Sequence, residues 1–272
     1  MQRSAFVASL MCAVYLGAMA SAAFVVVGEA GAAGRYFEAG SSLNWAGYVA
    51  YTDAGNPRRA IASVSGTWTV PSVPATLNPR FSSAWVGIGG FFPGDGSLIQ
   101  VGTDANSSNL HASYYAWYEV LPAASVAIPC LTILPGDRIT ASVRQAGPDL
   151  WTVSLATDGA GGGRGTCAST GNPNEFRLTL PYASSRASAE WVVERPALCQ
   201  VTCRLTSLSN FGSVTFTGAT YASDGVTHSI SGAGPGTYEV VTMVNERFVP
   251  LLEVPVRAGP GSAFDAVWRA SS

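Results

Sequence analysis

In SVSGTWTV, residues 63–70, Val64, Gly66, Trp68 and Val70 alternate with Ser63, Ser65, Thr67 and Thr69. Successive side chains on a strand point to opposite faces, so this pattern predicts a β-strand with one apolar and one polar face. The alternation returns in Ile139, Ala141 and Val143, in Trp151, Val153 and Leu155, in Phe176, Leu178 and Leu180, and later in Val214 with Phe216 and Tyr238 with Val240. Between these runs stand GNP (55–57), PGDG (93–96), PGD (135–137), DGAGGG (158–163), GNPN (171–174), SDG (223–225) and GAGPG (232–236), clusters of the residues that favour turns. No helix-length window after the N-terminal leader carries an apolar period of about 3.6 residues. Many short strands with frequent turns predict an all-β fold, an antiparallel β-sandwich of two large sheets of the lectin-like jelly-roll kind.

The N-terminus reads differently. Arg3 precedes an uncharged, largely apolar run from Ser4 to Gly28, and Ala20-Ser21-Ala22 offers the small residues that signal peptidase cleaves after. Residues 1–22 are therefore expected to be a signal peptide, although the run is long enough to span a bilayer as an anchor. Residues 23–43 are rich in Ala and Gly and are read as a linker or short pro-segment. Residues 44–272 show no break in composition and are expected to form one domain. The protein is expected to be secreted, monomeric and, once the leader is removed, not held on a membrane.

Only 12% of the 272 residues are charged, about half the usual share, with 15 basic against 17 acidic side chains. All the basic ones are Arg. No clustered basic face is present to bind nucleic acid. Few titrating groups also favour survival in acid, because acid unfolding works by protonating carboxylates and by repulsion among the remaining cations. With Cys12 removed, Cys130, Cys167, Cys199 and Cys203 remain, an even number in a chain bound for an oxidising compartment. Of the three possible pairings, Cys130 with Cys167 and Cys199 with Cys203 is preferred. A zinc site competes poorly, since the cysteine spacing is irregular and His111 and His228 lie far away in sequence; no metal or cofactor is expected.

Several catalytic signatures are missing: an Asp-Thr-Gly loop, a G-x-S-x-G elbow and an H-E-x-x-H helix. Carboxylates and amides among aromatics remain. In SAEWVVERP (188–196), Glu190, Val192 and Glu194 share one strand face. In YYAWYE (114–119), Tyr115, Trp117 and Glu119 share another. In SLIQVGTD (97–104), Leu98, Gln100, Gly102 and Asp104 lie together. Taken singly, each has a bland explanation: strand carboxylates usually face solvent, and their aromatic neighbours usually belong to the core.

Together the segments resemble the eqolisin family of glutamic peptidases. The likeness runs from about Asn44 to Phe216 through NWAGYVA (44–50), VSGTWTVPSV (64–73), SAWVGIGG (83–90), LIQVGTD (98–104), YYAWYE, PGDRI (135–139), SAEWVVERP and NFGSVTF (210–216), in the family's order. The resemblance implies a secreted acid endopeptidase acting on polypeptides, with Gln100 and Glu190 as the catalytic pair. It implies that Trp45, Trp85, Asp104 and Glu119, with Trp117 beside them, line or support the cleft. Glu194, one strand repeat beyond Glu190, is expected to support it or the surroundings of Arg195. One departure stands out: the family reads W-V-G-I-D-G where this chain has Gly89, so an acid near the active-site loop is gone. Val120-Leu121 also replaces the more aromatic continuation after Glu119.

The chemistry these roles imply is simple. A glutamate takes the proton of an attacking water and passes it to the leaving nitrogen, while a glutamine N–H, which does not titrate, stabilises the oxyanion. With an unperturbed pKa of about 4.3, such a base is expected to act in acid. Two alternatives share these residues: a glycoside hydrolase using Glu119 and Glu190 with aromatic stacking on sugars, and a non-catalytic lectin-like binding module.

Overall fold

A computed structural model describes residues 40–51, 60–92, 94–167, 170–199, 203–230, 238–254 and 261–272. The leader, Cys12 and most of the segment read as a linker lie outside the described residues. Among those residues there is no helix; all regular structure is strand.

One layer contains β3 (Ile61–Thr69), β8 (Arg138–Gly147), β9 (Leu150–Thr157) and β10 (Glu175–Pro181), in the order β10-β9-β8-β3. The other contains β2 (Trp45–Tyr51), β4 (Ser83–Ile88), β5 (Ile99–Ser108), β6 (His111–Val120), β7 (Val126–Ala127), β11 (Ser188–Glu194), β16 (Tyr238–Val244), β17 (Pro250–Glu253) and β18 (Phe264–Trp268). Its order is β18-β17-β16-β2-β11-β4-β5-β6-β7. The strand β14 (Ser213–Ser223) belongs to both. Ser213–Phe216 pairs with β18, whereas the stretch from Thr217 pairs with β3 after a register shift between Thr217 and Thr220. Gly218 lies in that shift with φ of 58°, a conformation a side chain resists, and the bulge turns the strand from one layer into the next. The two predicted layers are thus one hydrogen-bonded path folded over at β14.

Smaller elements complete the fold. The strand β1 (Gly40–Ser42), inside the stretch read as a linker, pairs in parallel with β16. The strand β15 (Val226–Ser229) pairs back on β14, and β12 (Ala197–Cys199) forms a separate hairpin with β13 (Cys203–Leu205). Cys130 and Cys167 are disulfide-bonded at a Cα separation of 4.9 Å, within the usual range. Cys199 and Cys203 are register partners in their hairpin, but their side chains lie outside the described residues.

The core lies between the layers and follows the alternation. From β3 come Val64 and Trp68, from β8 and β9 Ile139, Val143, Val153 and Leu155, and from the facing layer Val86, Val101, Trp191 and Val193, all buried. Two indoles carry hydrogen bonds across: Trp68 Nε1 donates to Thr103 Oγ1 at 3.0 Å and Trp191 Nε1 to the Ser65 carbonyl at 2.7 Å. A buried indole needs such an acceptor, so both bonds fix how the layers register. The opposite face of the β2-β11-β4-β5-β6 sheet is also substantially covered. Trp85, Leu98, Trp117 and Val192 form a second buried cluster there, flanked by Trp45, Tyr115 and Leu121.

Candidate active site

On that outer face, register sets the site. Partners directly across an antiparallel pair share a face, so Gln100 on β5, Gly87 on β4 and Glu190 on β11 form one row, while Asp104, Ser83 and Glu194 form a second. Glu119 and Tyr115 extend the rows onto β6 as partners of Gln100 and Asp104. A groove with about 740 Å³ of open space runs across these strands, lined by Gln100, Glu119, Trp117, Asp104, Trp45 and Glu194, among others. Trp85 is fully buried in its floor. A Cβ at Gly87 would approach Trp85, Leu98 and the Gln100 Cβ at 3.0 to 3.1 Å, so a side chain there would have to push these neighbours aside by a few tenths of an ångström.

Of the residues expected to form the site, Glu190 is not in the groove. It is fully buried, its row neighbours are Gly87 and Val49, and Phe91 packs with Val49 above. Neither carboxylate oxygen has a hydrogen-bond partner among the described residues. Burial raises its pKa far above the usual carboxylate range, with the charge of Asp95 adding to the rise. Gln100 and Glu190 therefore share a cross-strand row through Gly87, but of the two only Gln100 lines the groove. Glu194 is the glutamate of β11 that reaches the groove.

Glu194 is well held. Trp85 Nε1 donates to one oxygen at 2.9 Å and Asn44 Nδ2 to the other at 3.2 Å. Burial nevertheless dominates and pushes its pKa up to about 7. Glu119 is pushed to about 8 by burial and by the nearby Glu194 charge. Gln100 Nε2 donates to Glu119 Oε2 at 2.5 Å, which fixes the amide and leaves its second N–H to act elsewhere. Asp104, also raised by burial, accepts from Ser83 Oγ at 2.5 Å, Tyr115 OH at 2.7 Å and Asn106 Nδ2 at 2.9 Å. The expected unperturbed base is therefore replaced by carboxyls that are neutral in acid. No group of three or more potential metal ligands occurs among the described residues.

The sequence reading gave Glu194 only a supporting place and did not single out Asn44, Ser83 or Asp95. A signal for Glu194 was available. Pro196 cannot donate to a ladder and so ends the strand, which puts Glu194 at a strand end, where sheets open, and Glu190 in the strand interior.

The β-sandwich folded through one shared strand is the fold of solved glutamic peptidases. The crystal structure of scytalido-glutamic peptidase with a transition state analog inhibitor superposes with a TM-score of 0.66 over 83% of this chain and 98% of that one, at 22% identity. The aspergilloglutamic peptidase from Aspergillus niger aligns with a TM-score of 0.54 over 70% and 99% of the two chains, at 25% identity. Aspergillopepsin-2 of Aspergillus niger is 30% identical over 207 residues, spanning 68% of this chain and 66% of that protein. The model of the Peptidase A4 family matches residues 43–251, and the chain belongs to that family.

Proposed function

We propose that this protein is a secreted endopeptidase that hydrolyses polypeptides in acid, with Glu194 as the proton-transfer group and Gln100 as the oxyanion donor. The observation that carries this reading is the single groove that holds the Gln100 amide, tied to Glu119, together with Glu194, the glutamate of β11 that is open to it. Membership of the Peptidase A4 family supports the reaction class. The apolar leader of residues 1–22 supports secretion.

A carboxyl neutral in the resting groove meets both proton demands of amide hydrolysis. One Glu194 oxygen takes the proton of the attacking water, the proton it already carries passes to the amide nitrogen, and Glu194 ends neutral as it began. The free N–H of Gln100 stabilises the oxyanion, an effect worth about 2.7 to 4 kcal/mol for one such donor. Glu119 positions that amide, and the aromatic walls of Trp45, Trp117 and Tyr115 receive the extended chain. The sign of the pH dependence follows: activity is present in acid and is lost as pH rises through the Glu194 value of about 7. The glycosidase reading loses its geometry, since Glu119 faces the groove and Glu190 does not.

The test is cleavage of an unfolded protein between pH 2 and 8 by the wild type, Glu194→Gln and Gln100→Ala. Glu194→Gln should lose about 10²–10⁴-fold in kcat and Gln100→Ala about 10²–10³-fold. Full activity of Glu194→Gln would overturn the assignment.

A further inference from the structure

Gly89, where an acid was expected, has φ of 89°, and a Cβ built on it would lie 2.4 Å from the Ser97 carbonyl oxygen. That Cβ would also come within 3.1 Å of Ser97 Oγ and 3.2 Å of Ser185 Oγ. Those two hydroxyls already hold another carboxylate. Ser97 Oγ and Ser97 N donate to Asp95 Oδ1 at 2.7 and 2.9 Å, and Ser185 Oγ and Gly90 N donate to Oδ2 at 2.6 and 3.0 Å. The acid missing at position 89 is thus supplied to the same neighbourhood from position 95, which lines the groove.

We propose that Asp95 is a positioning residue of the groove: as a carboxylate it knots the loop that leads into β5, and its protonation sets the acid limit of turnover. The inference rests on the reading of Gln100 and Glu194 given above.

The knot joins two segments. Ser185 N donates to Ser97 Oγ at 2.8 Å, and Leu98 N donates to Tyr182 OH at 2.7 Å, so Ser97 and Leu98 are tied to Ser185 and Tyr182. Leu98 packs with Trp85 and Trp117 in the groove floor, its carbonyl accepts from Leu121 N at 2.9 Å, and Gln100 is two residues further on. Four donors converge on two oxygens, an arrangement that suits an anion. Each oxygen faces a backbone N–H, from Ser97 or Gly90, that can only donate, so a protonated carboxyl would give up part of this set of bonds. Burial opposes ionisation here, but the four donors outweigh it and hold Asp95 below the usual carboxylate range.

The surrounding groups do not blur this titration. Tyr182, raised by burial and by Asp95, and Glu190, also raised, are both neutral in acid. Arg186 turns its Nε to the Ile61 carbonyl at 3.0 Å. Asp104, Glu119 and Glu194 are all held above the ordinary range. Asp95 is the groove carboxylate that its surroundings hold toward the ionised form.

The experiment is the pH profile of kcat/KM on an unfolded protein from pH 2 to 8 for the wild type, Asp95→Asn and Ser185→Ala, with Glu194→Gln as control and fluorescence confirming the folded state in each buffer. The wild type should fall on the acid side. Asp95→Asn, which places an amide NH2 against the same donors, should be about tenfold slower at pH 4 to 5 and flat below, with its loss toward neutral pH unchanged. Ser185→Ala removes one donor to the anion and should move the acid fall upward by about one pH unit. A wild-type acid fall retained in Asp95→Asn overturns the proposal. If Asp95→Asn does not fold, an unmoved acid fall in Ser185→Ala overturns it. An active Glu194→Gln control overturns the site assignment instead.

Discussion

Glu190 and Glu194 stand four residues apart on the same face of β11, and their surroundings make them different groups. Around Glu190 the sheet is closed: the strand continues on both sides, Gly87 and Val49 flank it, and the loop that carries Phe91 covers the face. Around Glu194 the strand is ending, Pro196 and Ala197 lead the chain away, and the groove opens between Trp45 and Asp104. Two side chains donate to Glu194, whereas among the described residues no hydrogen bond of good geometry reaches Glu190 and only the Ser188 hydroxyl lies close enough to favour its anion. A carboxyl becomes useful where burial raises its pKa while a route to substrate stays open. Glu190 meets only the first condition.

The sharpest way to break this comparison is Glu190→Gln. Where Glu194→Gln abolishes cleavage, Glu190→Gln should keep kcat/KM within a few-fold of the wild type, measured on the same substrate at pH 4. A loss comparable to that of Glu194→Gln would return the catalytic role to the closed end of the strand.

A second difference lies in stability. Folding raises Glu119, Glu190 and Glu194 above the unfolded carboxylate value of 4.5. An acid whose folded pKa is raised gives stability that is full below its unfolded pKa and is lost as pH climbs toward the folded value. The fold should therefore be most stable in acid and weaken toward pH 7 to 8, the range of Glu194 and Glu119. Glu190, with no solvent to receive its charge, should contribute most of the loss, since burying an unpaired ion costs several kcal/mol. Urea unfolding at pH 4 and pH 8 should show a midpoint that falls for the wild type and falls clearly less for Glu190→Gln. Equal falls in both proteins would show that Glu190 ionises without cost.

Much of this was legible in the chain. The alternation around Trp68, Ile139 and Trp151 gave the strands and the face each buries, because a sheet with one packed face has period 2. It also put Gln100 with Asp104 on one face of β5, and Glu119 with Tyr115 and Trp117 on one face of β6, while the register that joins these two faces came only with the structure. The closure of the layers was not legible, because it depends on the bulge within β14 and on Gly218, where the sequence offers one glycine among many. The choice between Glu190 and Glu194 was likewise hidden. Alternation puts both on one face, and only the cross-strand register, with Gly87 beside one and Ser83 beside the other, decides which meets the groove. The alternation of β11 does not tell that Val192 packs with Trp85 and Leu98 or that Glu190 is fully buried, because the residues that cover them are distant in sequence. Propensity does not report what a loop will cover.

The smallest expected effect concerns the open end alone. Trp85 Nε1 donates to Glu194 Oε2 at 2.9 Å and stabilises its anion, partly countering the burial that raises it. Trp85→Phe keeps an aromatic ring in the floor but removes that donor, so the Glu194 pKa should rise further. In the mechanism proposed above the neutral form of Glu194 works, so the fall in kcat/KM toward neutral pH should move upward, by about one pH unit for one hydrogen bond to a charged group. The plateau in acid should change little, since the bond is weakest when Glu194 is protonated. A neutral-side fall that stays put while an acid-side limb moves upward would mean that Glu194 works as an anion, and the closed and open ends of β11 would then differ in access to substrate but not in the protonation state that access exploits.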